Sequence, residues 1–259
     1  MRERNVRHCS KVPAVLGVVA AVLAVLSCPA SAGPIVDDVG TLVTIRVSND
    51  QGTGQTSWFL TPGEAEGDRY GWLLPEPTAI YGDGQVLATI ASLGVQIDVD
   101  PEVSLNFAVT AGASNSHFTI TSAVVPFATI TNPIAYASAA ITVTDGDGDG
   151  ATLTGLFDAG KAYEARYNDP AVVWAALVGP VTAAPDFSAT GNDRWPATGR
   201  TQIVADLSSI ASEYDFTLTA NDSASGTSRF EVVVPEPATA GLLGLGVLGL
   251  LGRRKRQRH

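Results

Sequence analysis

The sequence predicts an all-β fold: an antiparallel β-sandwich or jelly-roll-like domain between an N-terminal signal peptide and a C-terminal hydrophobic helix. Three observations predict it. Apolar and polar residues alternate along many short stretches of the middle region, turn-forming Gly, Pro and Asp separate those stretches, and almost nothing there keeps a 3.6-residue period. Period two built from Val, Ile, Thr and aromatics marks half-buried antiparallel strands. Many such strands between turn residues favour a sandwich or barrel.

Residues 1–32 read as a secretory signal peptide. Arg2, Arg4, Arg7 and Lys11 form a basic start, Val12 to Leu26 is apolar apart from Pro13, and Ala30-Ser31-Ala32 is an A-x-A cleavage site before Gly33. A rival lipoprotein site at Cys28 is poorly matched by Leu26 and Pro29. Signal peptidase is the partner this segment implies.

Residues 33–233 form the predicted domain. Val43, Ile45 and Val47 alternate with Thr44, Arg46 and Ser48; Val95 to Val99 and Val103 to Val109 behave alike. Further strands are expected at 118–125, 140–144, 152–157, 162–167, 172–177, 202–207, 214–220 and 228–234. Ser208 to Glu213 reads as one helical turn. Five Thr-x-Thr units, such as Thr119/Thr121 and Thr142/Thr144, each place two hydroxyls on one strand face.

Charge and cysteine content narrow the function classes. Residues 33–233 hold 24 acidic and 7 basic side chains, a net charge of about −17. Such a surface repels nucleic acid and attracts divalent cations. Cys9 and Cys28 both precede Gly33, so the domain has no disulfide and must rely on its core, which a chain of this size can supply. His117 is the domain's only histidine, which removes His/Cys metal sites and a cysteine nucleophile.

The tail, residues 234–259, has three parts: Pro235-Glu236-Pro237, an apolar run at 238–252, and a basic stop of Arg253, Arg254, Lys255, Arg256 and Arg258. As a helix, fifteen residues would span roughly 22 Å, less than the ~30 Å hydrocarbon core. That length suits a segment parked in the membrane and then cut, with the basic stop held in the cytoplasm. This tail resembles the PEP-CTERM sorting signal of envelope-bearing bacteria. The resemblance implies processing by an exosortase-type enzyme, an inner-membrane-held precursor, and delivery to the cell surface or an extracellular polysaccharide matrix. Pro75-Glu76-Pro77 repeats the tripeptide but lacks a following apolar run, and reads as a loop.

Asp145-Gly146-Asp147-Gly148-Asp149-Gly150 is the sharpest chemical pattern. Carboxylates at positions 1, 3 and 5 with Gly at 6 begin a calcium loop. The twelfth position is Leu156 rather than Glu, so Asp158 is the candidate fourth ligand for Ca2+. Asp98, Asp100 and Glu102 are a second source of oxygens. The plain alternative is a β-hairpin turn, for which Asp-Gly steps are a strong signal.

Trp58, Trp72, Trp174 and Trp195 with Tyr70, Tyr81, Tyr163 and Tyr167 could stack sugars or anchor the core. Trp195, with Asn192 and Asp193 in what reads as an exposed loop, is the best glycan-contact candidate. Catalysis has thin support. A triad would need His117 beside Ser114, yet no G-x-S-x-G elbow is present, and no carboxylate pair stands out for a glycosidase. The expectation is a non-catalytic, exported structural or adhesive protein of the envelope or matrix. A calcium-assisted glycan-binding module is the alternative, and a glycoside hydrolase or lyase comes last.

Overall fold

The structure is a computed structural model that describes residues 40–60, 69–98, 101–168 and 172–233. It is an antiparallel β-sandwich. Sheet A carries β1 (Thr41–Asn49), β2 (Gly52–Phe59), β7 (Ser116–Ser122), β8 (Val125–Thr131), β10 (Ala151–Gly155), β11 (Tyr163–Tyr167), β12 (Val172–Leu177), β13 (Val181–Ala183) and β16 (Asp206–Leu218). Sheet B carries β3 (Arg69–Leu73), β4 (Thr78–Gly82), β5 (Gln85–Asp98), β6 (Glu102–Ala111), β9 (Ile134–Thr144), β14 (Ser188–Trp195), β15 (Thr201–Gln202) and β17 (Ser223–Val233). Among the described residues no helix is long and apolar enough to cross a membrane. The signal segment, the sorting box, the apolar run and the basic stop lie outside the described residues.

Alternation places the core. Val43, Ile45 and Val47 are fully buried while Thr44, Arg46 and Ser48 face out. Aromatics join the two sheets. Phe107 of β6 meets Tyr214 edge-on at 4.9 Å and stacks on Phe216 at 5.8 Å, and Trp174 of β12 stacks on Phe230 of β17 at 5.3 Å. Burial pushes the Tyr163 hydroxyl up to about 12, and that group shares a 2.9 Å hydrogen bond with Ser212.

Two expectations are corrected. Ser208 to Glu213 is not helical; it lies within β16. The pairing of β16 with β8 slips between Leu207 and Ser209, so the buried set changes parity partway along the strand. Leu207, Ile210, Ala211 and Tyr214 are all buried as a result, at a spacing that imitates a helix. Asn192 to Trp195 is not a loop but the end of β14, paired with Ala140 to Ala137 of β9. Its inward positions include Gly191 and Asp193, so this edge strand carries little apolar alternation.

The connections sort by the end of the sandwich they occupy. The chain crosses between sheets at one end through 112–115, 145–150, 184–187 and 219–222. The opposite end holds the start of β9, the start of β16 and Val233, the last residue of β17.

Candidate functional site

The Asp-Gly loop is a crossover rather than a hairpin, because β9 belongs to sheet B and β10 to sheet A. Its neighbours are therefore the other crossover loops. Asp145 Oδ1 accepts the backbone N–H groups of Gly148 at 3.2 Å and Gly150 at 3.1 Å, and Asp145 Oδ2 accepts that of Asp186 at 2.5 Å. These donors, Asp186 first, hold the Asp145 carboxyl below its ordinary value. Gly146 donates its N–H to the buried Asp222 at 3.0 Å, and a Cβ at Gly146 would collide with the Asn221 carbonyl. Glycine is thus required for the loop to lie against 219–222.

Asp147 and Asp149 are exposed, and with Asp145 each offers an oxygen within 4.8 Å of the others. Asp147 accepts a 2.9 Å hydrogen bond from Asn221 Nδ2. The Asp149 carboxyl is raised by its hydrogen bond with Asp147 and by repulsion from that residue. Three carboxylates this close can hold a divalent cation through oxygen ligands. Asp145 shapes the loop, while Asp147 and Asp149 offer the freer oxygens.

The remaining candidate oxygens lie elsewhere. Asp158 starts a single 3-10 turn, Asp158–Gly160, at the far end of β10 from the loop. It adds to the raised carboxyl of Glu164 rather than to the Asp cluster. Asp98 and Glu102 face each other across β5 and β6 at the opposite end of the sandwich, where Arg69 pairs Asp98 at 2.9 Å and Arg229 pairs Glu102 at 2.7 Å. Asp100 lies outside the described residues.

The glycan candidates are divided by their strand. Asn192 faces outward from sheet B, whereas Asp193 and Trp195 take the other side of β14. Asp193 is tied to Lys161 at 3.1 Å; that contact and the Arg194 N–H lower its carboxyl against the opposing effect of burial. Trp195 is 50% exposed. Most other aromatics pack inside: Trp58 and Trp72 touch across the sheets at 5.6 Å, and Tyr70 and Tyr163 are buried.

Sequence reasoning missed a charged cluster on the outer face of sheet A. Glu164 of β11 pairs directly with Glu213 of β16, and Arg166 bridges both, at 2.7 and 3.2 Å. Burial raises both carboxyls against the pull of Arg166. His117 Nε2 bonds Asp215 on the next strand, at the rim of a depression of about 260 Å³ lined also by Arg46, Ser48 and Thr119. The i, i+2 pairs Glu164/Arg166 and Glu213/Asp215 were the available signal, but only strand pairing brings them together.

The family model described as the PEP-CTERM protein-sorting motif matches residues 233–256. No curated protein matches the chain. Among solved structures, "The 2.6A structure of Infectious Bursal Virus Derived T=1 Particles" aligns at 11% identity over 84% of this chain and 72% of that one. Its TM-score of 0.07 gives no shared backbone course.

Proposed function

We propose that this chain, which carries a PEP-CTERM sorting motif and is on that basis an exported protein handled by an exosortase, serves as a non-catalytic structural or adhesive component of the cell envelope or extracellular matrix. One observation carries the reading: the strand that leads into the tail is the best-anchored strand of its sheet. From Ser223 to Val233, β17 pairs with β9, and from Ser223 to Glu231 it pairs with β6 on its other side. A pull on the tail along this strand loads those hydrogen bonds in shear, many at once. That is the arrangement expected of a domain held by its C-terminus.

A second reading is favoured by the Asp145, Asp147 and Asp149 cluster at the other end: calcium held there assists contact with an extracellular polysaccharide.

The test compares producing cells with a deletion strain and with cells carrying Pro235, Glu236 and Pro237 replaced by Ala. A structural role predicts the processed protein in the surface or matrix fraction, and weaker matrix retention when it is deleted or unprocessed. A processed protein that stays soluble in the periplasm, with matrix unchanged by deletion, would overturn it. Calcium-dependent co-sedimentation of the domain with the isolated polysaccharide tests the second reading.

A further inference from the structure

We propose that the end of the sandwich from which β17 emerges is a membrane-facing surface, seated on phospholipid headgroups while the precursor is held by its tail. The proposal rests on the sorting reading of that tail. Val233 closes β17, and the apolar run begins at Ala238. At 3.3–3.6 Å per residue, the intervening chain reaches at most about 18 Å, whatever its conformation. An inserted tail therefore holds this end of the domain next to the bilayer surface.

The side chains gathered there suit that surface. Trp195 is 50% exposed and Val204 is 87% exposed, the latter following Ile203, whose N–H bonds the Pro133 carbonyl just before β9. Between them, Arg194 and Arg200 place their guanidinium groups over the Tyr136 ring at 4.8 and 5.3 Å, with Arg229 at 5.6 Å. Tyr136 pairs with Glu231, two residues before the end of β17. Exposed Trp, Tyr and Arg are the residues that favour a headgroup layer, with apolar bodies inward and polar tips in water.

Charge orients the domain the same way. Arg69, Arg194, Arg200 and Arg229, four of the domain's seven basic residues, lie toward this end. They balance Asp98, Glu102, Asp206 and Glu231. At the opposite end, the loops 49–52, 82–85, 112–116, 145–150, 184–187 and 219–222 hold seven Asp and no Lys or Arg. An anionic bilayer repels that end and tolerates the other. The Asp loop is therefore presented away from the membrane.

The test uses the full chain with Cys9→Ser and Cys28→Ser, reconstituted into vesicles of phosphatidylethanolamine and phosphatidylglycerol. A fluorophore is attached at Val204→Cys or, separately, at Asp147→Cys, and nitroxide-headgroup lipid is the quencher. Severalfold stronger quenching at 204 than at 147 is expected, reduced when Arg194 and Arg200 are both changed to Glu. Equal quenching at the two positions, in chain that resists carbonate extraction, overturns the proposal and leaves the tail's insertion standing. Chain that carbonate removes overturns the tail reading and this proposal with it.

Discussion

The carboxylate of Asp145 accepts the backbone N–H of Asp186 at 2.5 Å, tying the β9–β10 crossover to the β13–β14 crossover. With Gly148 and Gly150 also donating to it, Asp145 is mainly a structural clamp, and the cation-binding capacity rests more on Asp147 and Asp149. The three residues should therefore separate on mutation. Asp145→Ala is expected to lower the melting temperature even in EDTA. Asp147→Asn should leave the EDTA value nearly unchanged and shrink the calcium-induced rise. A ligand at ~100-fold excess over its Kd stabilises by about 2.7 kcal/mol, which at this size is a shift of several degrees. Melting curves in millimolar calcium and in EDTA check both; no calcium shift in the unmutated domain would remove the cation reading.

The same three carboxylates set a pH dependence. Asp145 is depressed by its backbone donors, so its contribution is present above its ordinary value of 3.8 and is lost as pH falls through the depressed one. Asp149 has the opposite sign: raised by Asp147, it disfavours the folded state once ionised. Asp149→Asn should then raise the melting temperature slightly at neutral pH without calcium, and the gain should vanish in acid. A neutral-pH melt of this variant in EDTA is the measurement.

Inside the sandwich, Gly226 of β17 pairs with Phe107 of β6, and the Phe107 ring occupies the space that a Cβ at 226 would fill. Gly226→Ala forces that ring off the Tyr214 and Phe216 faces it bridges. Overpacking of this kind costs about 1–3 kcal/mol. Truncating the ring should relieve the clash, so the cost of Gly226→Ala should fall in a Phe107→Leu background. Urea unfolding of the four members of this cycle measures the coupling; independent, additive losses would show that the ring simply moves aside.

Legibility followed how local each cause was. The strand at Val172–Leu177 and the Val43/Ile45/Val47 face could be read because the alternation is complete within the segment. Ser208 to Glu213 misled because a bulge put buried residues on both parities, and β14 was missed because its inward row includes Gly191 and Asp193. The Asp-Gly loop was visible as a motif, but its role was not. Asp186 and Asn221, which bond Asp145 and Asp147, lie 41 and 74 residues away, and the crossover between sheets is a property of the whole topology. Glu164 and Glu213 face each other for the same non-local reason.

That last pair carries a further prediction. Burial raises both carboxyls above their ordinary value of 4.5, so folding favours their protonated forms. The sign follows by linkage: their contribution is fully present below 4.5 and is lost as pH rises through the raised values. At neutral pH Arg166 must hold two anions, Glu164 with a nearly buried side chain and Glu213 beside it. Glu164→Gln keeps the shape and an acceptor for Arg166 while removing one buried charge, and Glu213 remains to pair the guanidinium. The variant is expected to match or exceed the unmutated domain in stability at neutral pH, and to lose that advantage below about pH 4.5. Arg166→Met should do the reverse, leaving two facing carboxylates unbalanced and costing about 3–5 kcal/mol at neutral pH, with partial recovery in acid. Denaturation midpoints across that pH range decide it: a neutral-pH loss in Glu164→Gln as large as that in Arg166→Met would mean that the ion pair outweighs the burial of its charges.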